Sequence, residues 1–269
     1  MSLVEPLAAP APAHQALSED ITPAQIAEFG RTGWLAARGF FGADEMAAIT
    51  AWTEALIAMP EVPGEHMVYY EKSLKDPSLK VVQRIENFCP HHPAFDTLVR
   101  GGRLERAAAA LMGGEAILFK EKVNFKMPGG AGFEPHQDQQ AGWSVFTPMF
   151  VTALVCIDKA TEENGCLEMT DAPRFAGLIG QEWTPLTDEE MKSFNLISVP
   201  TEPGDVLFFD SYAPHASKPN MTDKARRILY LTYNLKADGD HRARYYAEKR
   251  ANFPPDIERA AGAEYKFRV

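Results

Sequence analysis

Residues 134–143 read EPHQDQQAGW, where His136 and Asp138 flank a single spacer. In extended backbone, side chains two residues apart point the same way, so an imidazole and a carboxylate share one face there. A second imidazole, His215, comes late in the chain within GDVLFFDSYAPHAS, just past a strand-like run. Two imidazoles and one carboxylate make the facial set that binds Fe(II) and leaves room for O2 and a co-substrate. Zinc accepts the same ligands. A zinc hydrolase would also need a general base, for which Glu134 is the nearby candidate. Arg226 opens the last strand-like run, on the face shared by Tyr230, Thr232 and Asn234, while Arg227 serves the opposite face. A guanidinium so placed grips a carboxylate bidentately.

These residues need elements to bring them together. From residue 116 the pattern AILFKEKVNFKM has period two, with Lys120, Lys122, Asn124 and Lys126 on one face. Phe119, Val123 and Phe125 fall on the other, where Glu121 is the polar exception. In a barrel backed by helices the polar face lines the lumen, and its cations then call for an anionic ligand. On the strand alone, a solvent-exposed sheet face is the competing reading. Further strands are expected at 149–157, 165–169, 195–199, 204–209 and 226–234, separated by turns PGG, EENG and EPGD. Thr22 with Pro23 opens a helix, 44–58 is helical, and 96–112 contains another that ends at Gly113-Gly114. Helices first and short strands afterwards predict an α+β domain on an antiparallel barrel or sandwich. Residues 1–18, rich in Ala and Pro, are expected to form a flexible N-terminal arm, and 19–269 a single domain.

The 269 residues carry 27 basic and 37 acidic side chains, a net of −10. That balance argues against nucleic acid or an anionic membrane as the main partner and allows a local cationic pocket for a small molecule. Cys89, Cys156 and Cys166 stand at unrelated spacings and do not form a disulfide framework. The first residues lack a basic and then apolar leader pattern, and no apolar run approaches the ~18 residues of a membrane helix. The expectation is a reduced, cytoplasmic, soluble protein. Cys89-Pro-His91-His92 reads as a loop, since no partner cluster accompanies it.

His136-x-Asp138, Asn164-Gly165-Cys166-Leu167, Glu202-Pro203-Gly204-Asp205 and His215 followed by Arg226 resemble the phytanoyl-CoA dioxygenase-like Fe(II)/2-oxoglutarate oxygenases. The likeness runs from about Asp20 to Tyr233. It implies a double-stranded β-helix (a jelly-roll, cupin-like barrel) with helices packed on the major sheet. It also implies Fe(II) on His136, Asp138 and His215, with 2-oxoglutarate and O2 as co-substrates. Arg226 would hold the distal carboxylate of 2-oxoglutarate and Thr152 would share it. Asn124 would sit beside the co-substrate, and Lys120 where relatives carry a polar side chain such as Gln. Many members continue Asn-Gly-Cys-Leu into a Pro-Gly-Ser-His turn, whereas here EMTDAPR (168–174) follows. The carboxylate of Asp138, replaced by a small residue in halogenating relatives, implies hydroxylation.

Within the family, EKVNFKMPGGAGFEPHQDQQAGW, YYEKSLK and QRIENF are similar to hydroxylases of 2-aminoethylphosphonate or its N-trimethyl analogue. The implied reaction hydroxylates the carbon next to phosphorus and releases CO2 and succinate. Lys122, Arg84, Gln137 and Gln139 are then the candidate phosphonate donors. Tyr69, Tyr70 and Glu71, in a polar loop over 64–90, are expected to receive an ammonium, and Trp143 joins the substrate side. A betaine, an amino acid derivative or an acyl compound is the alternative substrate, and a barrel that binds without catalysis is the alternative class.

Overall fold

The computed structural model describes residues 20–260. The expected N-terminal arm lies outside the described residues. Helix α1 (Pro23–Thr32) starts as its sequence predicts: the Thr22 hydroxyl accepts the Gln25 amide, and the Gln25 side chain accepts the Thr22 amide in return. Helix α2 (Ala43–Ile57) follows strand β1 (Trp34–Ala37). The single helix expected within 96–112 is two, α3 (Pro93–Val99) and α4 (Arg103–Met112). Gly101 breaks them by taking φ +67°, a conformation that costs other residues.

The remaining strands are β2 (Met67–Lys72), β3 (Lys80–Glu86), β4 (Ala116–Lys126), β5 (Phe133–His136), β6 (Val151–Cys156), β7 (Leu167–Thr170), β8 (Leu196–Val199), β9 (Val206–Asp210), β10 (His215–Ser217) and β11 (Arg226–Leu235). They build a seven-stranded sheet, ordered β1-β9-β6-β11-β4-β3-β2, and a four-stranded sheet, ordered β5-β10-β7-β8. Neighbours pair antiparallel throughout, as a jelly-roll requires. The polar loop expected over 64–90 is a correction: β2 and β3 extend the large sheet past β4. A last helix, α5 (Arg242–Asn252), closes the described chain. No described helix is long and apolar enough to cross a membrane.

The main core lies between the large sheet and helices α1 to α4, where Phe29, Ile49, Phe95 and Leu104 meet Leu118, Val123, Leu229 and Leu231. The other face of that sheet carries Lys120, Asn124 and Lys126, all at most 6% exposed, so the solvent-face reading of β4 is excluded. Two details of β4 depart from strict alternation. The register with β11 shifts between Thr232 and Tyr233, a bulge that turns Phe119 away from Val123 and into a second cluster with Trp143 and Tyr245. Glu121 keeps its outward direction because Arg242 and Tyr246 of α5 hydrogen-bond its side chain.

Candidate active site

His136 ends β5 and His215 begins β10, and the two residues are direct register partners in the small sheet. Their rings lie 4.3 Å apart, centroid to centroid. The chain turns into a short 3-10 helix at Asp138, whose Oδ1 reaches 3.9 Å from His136 Nε2 and 4.0 Å from His215 Nε2. One ligand atom from each of the three falls within 4.8 Å of the others. Each imidazole is held by a local backbone carbonyl: Nδ1 of His136 sits 2.7 Å from Glu134 O, and Nδ1 of His215 3.0 Å from Ala213 O. A proton on Nδ1, donated to that carbonyl, leaves each Nε2 lone pair directed to the shared centre, as metal-binding histidines are held. Burial, aided by His215, pushes the His136 imidazole down to about 3, and burial lowers His215 as well. Burial raises the Asp138 carboxyl, but His215, Lys120, Lys122 and His136 outweigh it and hold the group below its ordinary value. Two neutral imidazoles and a carboxylate are the donor set that a divalent cation takes, so the residues fit Fe(II).

A cavity of about 1270 Å³ opens over this centre, between the two sheets. Arg84, Lys120, Lys122, Asn124 and Trp143 line it, as expected. Lys120 sits over the Trp143 ring at 4.1 Å and Lys122 over Tyr230 at 4.8 Å. Burial is the main cause that lowers the pKa of both lysines, and Lys120 falls well below its ordinary value. An anion in the cavity would offset that cost.

Arg226 is 2% exposed, lies behind the cavity-lining Tyr230 without lining the cavity itself, and its Nε has no hydrogen-bond partner among the described residues. Asn124 Oδ1 is orphaned in the same way, and both residues hydrogen-bond the Tyr230 hydroxyl. Buried orphan groups call for a polar ligand, and a carboxylate of 2-oxoglutarate suits the guanidinium. Arg227 points outward, as its parity predicts, and pairs with Asp158 and Glu54.

Several expected roles are corrected. Thr152 pairs with Thr232 in the β6–β11 register, six residues along β11 from Arg226, or about 20 Å at the usual strand rise. That separation keeps it from the carboxylate that Arg226 would hold; its hydroxyl instead lies 3.4 Å from Asp138 Oδ2. Gln137 and Gln139 are fully buried, and the Gln137 amide is committed to backbone, whereas Gln139 Oε1 has no partner among the described residues. Gln137 donates to Gly177 O and Tyr212 O and accepts from the Ile179 amide, while Gln139 donates to Thr147 O. Gln137 braces the 171–195 segment, Gln139 braces the 144–147 turn, and neither lines the cavity. Tyr69, Tyr70 and Glu71 do not line it either. Tyr69 carries the Arg84 guanidinium on its ring at 4.1 Å, Tyr70 hydrogen-bonds Glu61, and Glu71 accepts from Gln83 and the Ala131 amide. Residues that sequence reasoning missed replace them. Glu86, Tyr245, Glu248 and Lys249 line the cavity, with Glu182 and Trp183 at its rim beside Glu134, the base candidate of the sequence. A helical i, i+3, i+4 spacing in 245–249 was the available signal, without an apolar stripe to draw attention to it.

Known proteins are similar to this chain in sequence and fold. The phytanoyl-CoA dioxygenase (PhyH) family description matches residues 29–228. The chain is 36% identical to a 2-aminoethylphosphonate dioxygenase of an uncultured bacterium, over 91% of this chain and 93% of that protein. It is 37% identical to a methylphosphonate hydroxylase of Gimesia maris, over 93% and 95% respectively. Among solved structures, EctD from S. alaskensis with 2-oxoglutarate and 5-hydroxyectoine superposes with a TM-score of 0.67 at 22% identity, covering 84% of this chain and 80% of that one.

Proposed function

Because the chain belongs to the phytanoyl-CoA dioxygenase family, we propose that it is an Fe(II)- and 2-oxoglutarate-dependent hydroxylase of a small organophosphonate, acting at the carbon next to phosphorus. The observation that carries the substrate class is the layout of charge along the cavity. Arg84, Lys120 and Lys122 stand inside, whereas the carboxylates at the exposed rim are Glu134, Glu182 and Glu248. That polarity complements a molecule negative at its inner end and positive at its outer end, as 2-aminoethylphosphonate is. The relatives named above act on phosphonates with and without an amino group. An alkylphosphonate is therefore the second reading, and the rim carboxylates favour the first.

His136, Asp138 and His215 would hold the iron, and Arg226 with Asn124 would hold 2-oxoglutarate. Iron bound there supplies O2 activation coupled to oxidation of 2-oxoglutarate to succinate and CO2, with one oxygen atom going to the substrate carbon. The chain's own contribution is placement. Lys120, Lys122 and Arg84 would fix the phosphonate, so that the adjacent C–H bond is the one presented to the metal centre. Glu134, the base a zinc hydrolase would require, is exposed at the rim.

Succinate formation tests the proposal, measured with Fe(II), 2-oxoglutarate and O2 against a panel of phosphonates, betaines and acyl thioesters. We expect 2-aminoethylphosphonate or its N-trimethyl form to trigger turnover with a C1-hydroxylated product, ahead of methylphosphonate. Turnover triggered by betaines or thioesters, with phosphonates inert, would overturn the substrate class.

A further inference from the structure

We propose that Lys249, on a helix that follows the family-matched segment, is a direct ligand of the substrate's phosphonate, and that Glu86 is the residue that positions it. The proposal rests on the phosphonate reading above. The family match ends at residue 228, and α5 begins at Arg242. Tyr245, Glu248, Lys249 and Asn252 recur at i, i+3, i+4 and i+7, so one face of α5 forms a wall of the cavity. The wall is fixed from the far side of the sheet. Arg242 donates to both Glu121 oxygens, and the Tyr246 hydroxyl donates to Glu121 O at 3.0 Å.

Lys249 Nζ lies 2.7 Å and 2.9 Å from the two Glu86 oxygens and 3.2 Å from the Tyr245 hydroxyl. Glu86 is 1% exposed, stands opposite Lys122 in the β3–β4 register and also accepts from Arg84 Nε at 2.6 Å. One carboxylate thus holds cations from two elements side by side, and the trio carries a surplus positive charge. The inner cavity as a whole sets Arg84, Lys120, Lys122 and Lys249 against Glu86 and Asp138. That excess of cations over carboxylates suits an anionic phosphonate. Burial, with Arg84 adding and Glu86 opposing, brings the Lys249 pKa down to about 8, so a bound anion would be needed to keep it charged in alkaline solution.

The test uses the full chain with Fe(II), comparing wild type with Lys249→Met, Lys249→Arg and Glu86→Gln. In Lys249→Met the KM for 2-aminoethylphosphonate should rise on the order of tenfold or more, as loss of a hydrogen bond to a charged group implies. The KM for 2-oxoglutarate should stay put, and Lys249→Arg should recover most of the loss. The wild-type KM for phosphonate should climb above a pH near 8. The groups that face Lys249 are Glu86 and Arg84 on β3, Lys120 and Lys122 on β4, Tyr69 on β2 and Tyr245 on α5. Glu86 is the one that raises its pKa, so Glu86→Gln should move the climb to lower pH, and Lys249→Met should lack it. A folding defect alone would move none of these inflections. A Lys249→Met enzyme with wild-type phosphonate KM, in a protein that does turn over phosphonates, overturns the assignment of Lys249 alone. A wild type inert toward every phosphonate overturns the substrate class and this inference with it.

Discussion

Arg226 and Arg227 are adjacent, chemically identical and placed in opposite environments, which makes them a controlled comparison. Arg226→Ala should raise the KM for 2-oxoglutarate by the equivalent of about 2–5 kcal/mol, the cost of truncating one member of a buried charge pair. Arg227→Ala should leave that KM unchanged, because its partners Asp158 and Glu54 lie on the outer side. Steady-state titration of 2-oxoglutarate checks both, and equal behaviour of the two variants would refute the register on which the site rests. This part of the site was legible because strand parity is strict: His136 with Asp138, and Arg226 against Arg227, are decided by counting residues. Thr152 shows the limit of such counting. Its inward direction is right, but a position along the strand comes from pairing with β11, and no single-strand pattern encodes that. Gln137 and Gln139 fail for a related reason. An amide side chain serves a backbone carbonyl as readily as a phosphonate, and only the path of the chain around it, at Gly177 for Gln137 and at Thr147 for Gln139, decides between them.

Elements with an apolar face are readable, including β4 and β11 whose other face lines the cavity, and the mostly polar ones are not. The α2 region and the β6, β9 and β11 runs bury apolar residues and declare themselves. In contrast β2 and β3 carry Tyr, Glu, Lys, Gln and Arg, the composition of a polar loop, because they face the ligand space or an ion-pair network. Helix α5 is similarly polar, with Arg242, Arg244, Glu248, Lys249 and Arg250, so its sequence RARYYAEKRAN shows no apolar stripe. Its partner was visible without being understood: Glu121, the polar residue on the apolar face of β4, is the anchor for Arg242. Glu121 is 0% exposed and Arg242 9% exposed, so removing one partner strands a buried charge. Glu121→Ala should destabilise the protein by about 3–5 kcal/mol. Denaturant titration measures that loss, and amide exchange over 242–252 should rise well beyond the rest of the fold. If exchange rises uniformly, α5 is not an independently anchored element.

At the scale of the whole molecule, the two sheets divide the chemistry between them. The small sheet and the turn after it carry His136, Asp138 and His215, which would hold the metal, whereas the large sheet carries Asn124, Lys120 and Lys122 on the cavity wall and Arg226 behind Tyr230. Neither sheet makes a complete site. A metal held at one sheet and a dicarboxylate gripped by the other would tie the two together, so binding should appear as stability of the entire fold. A ligand at one hundred times its dissociation constant adds about 2.7 kcal/mol. For a domain of this size that corresponds to a rise in Tm of about 5–10 °C. Redox-stable Mn(II) serves as the probe for the metal and avoids turnover during heating. Mn(II) should raise the Tm of wild type, and 2-oxoglutarate should raise it again. His215→Ala should lose the Mn(II) increment, while Arg226→Ala should keep it and lose the 2-oxoglutarate increment. That pattern separates the contributions of the two sheets without any measurement of activity. An Arg226→Ala protein that keeps the full 2-oxoglutarate increment would place the co-substrate elsewhere in the cavity and leave Arg226 without its role.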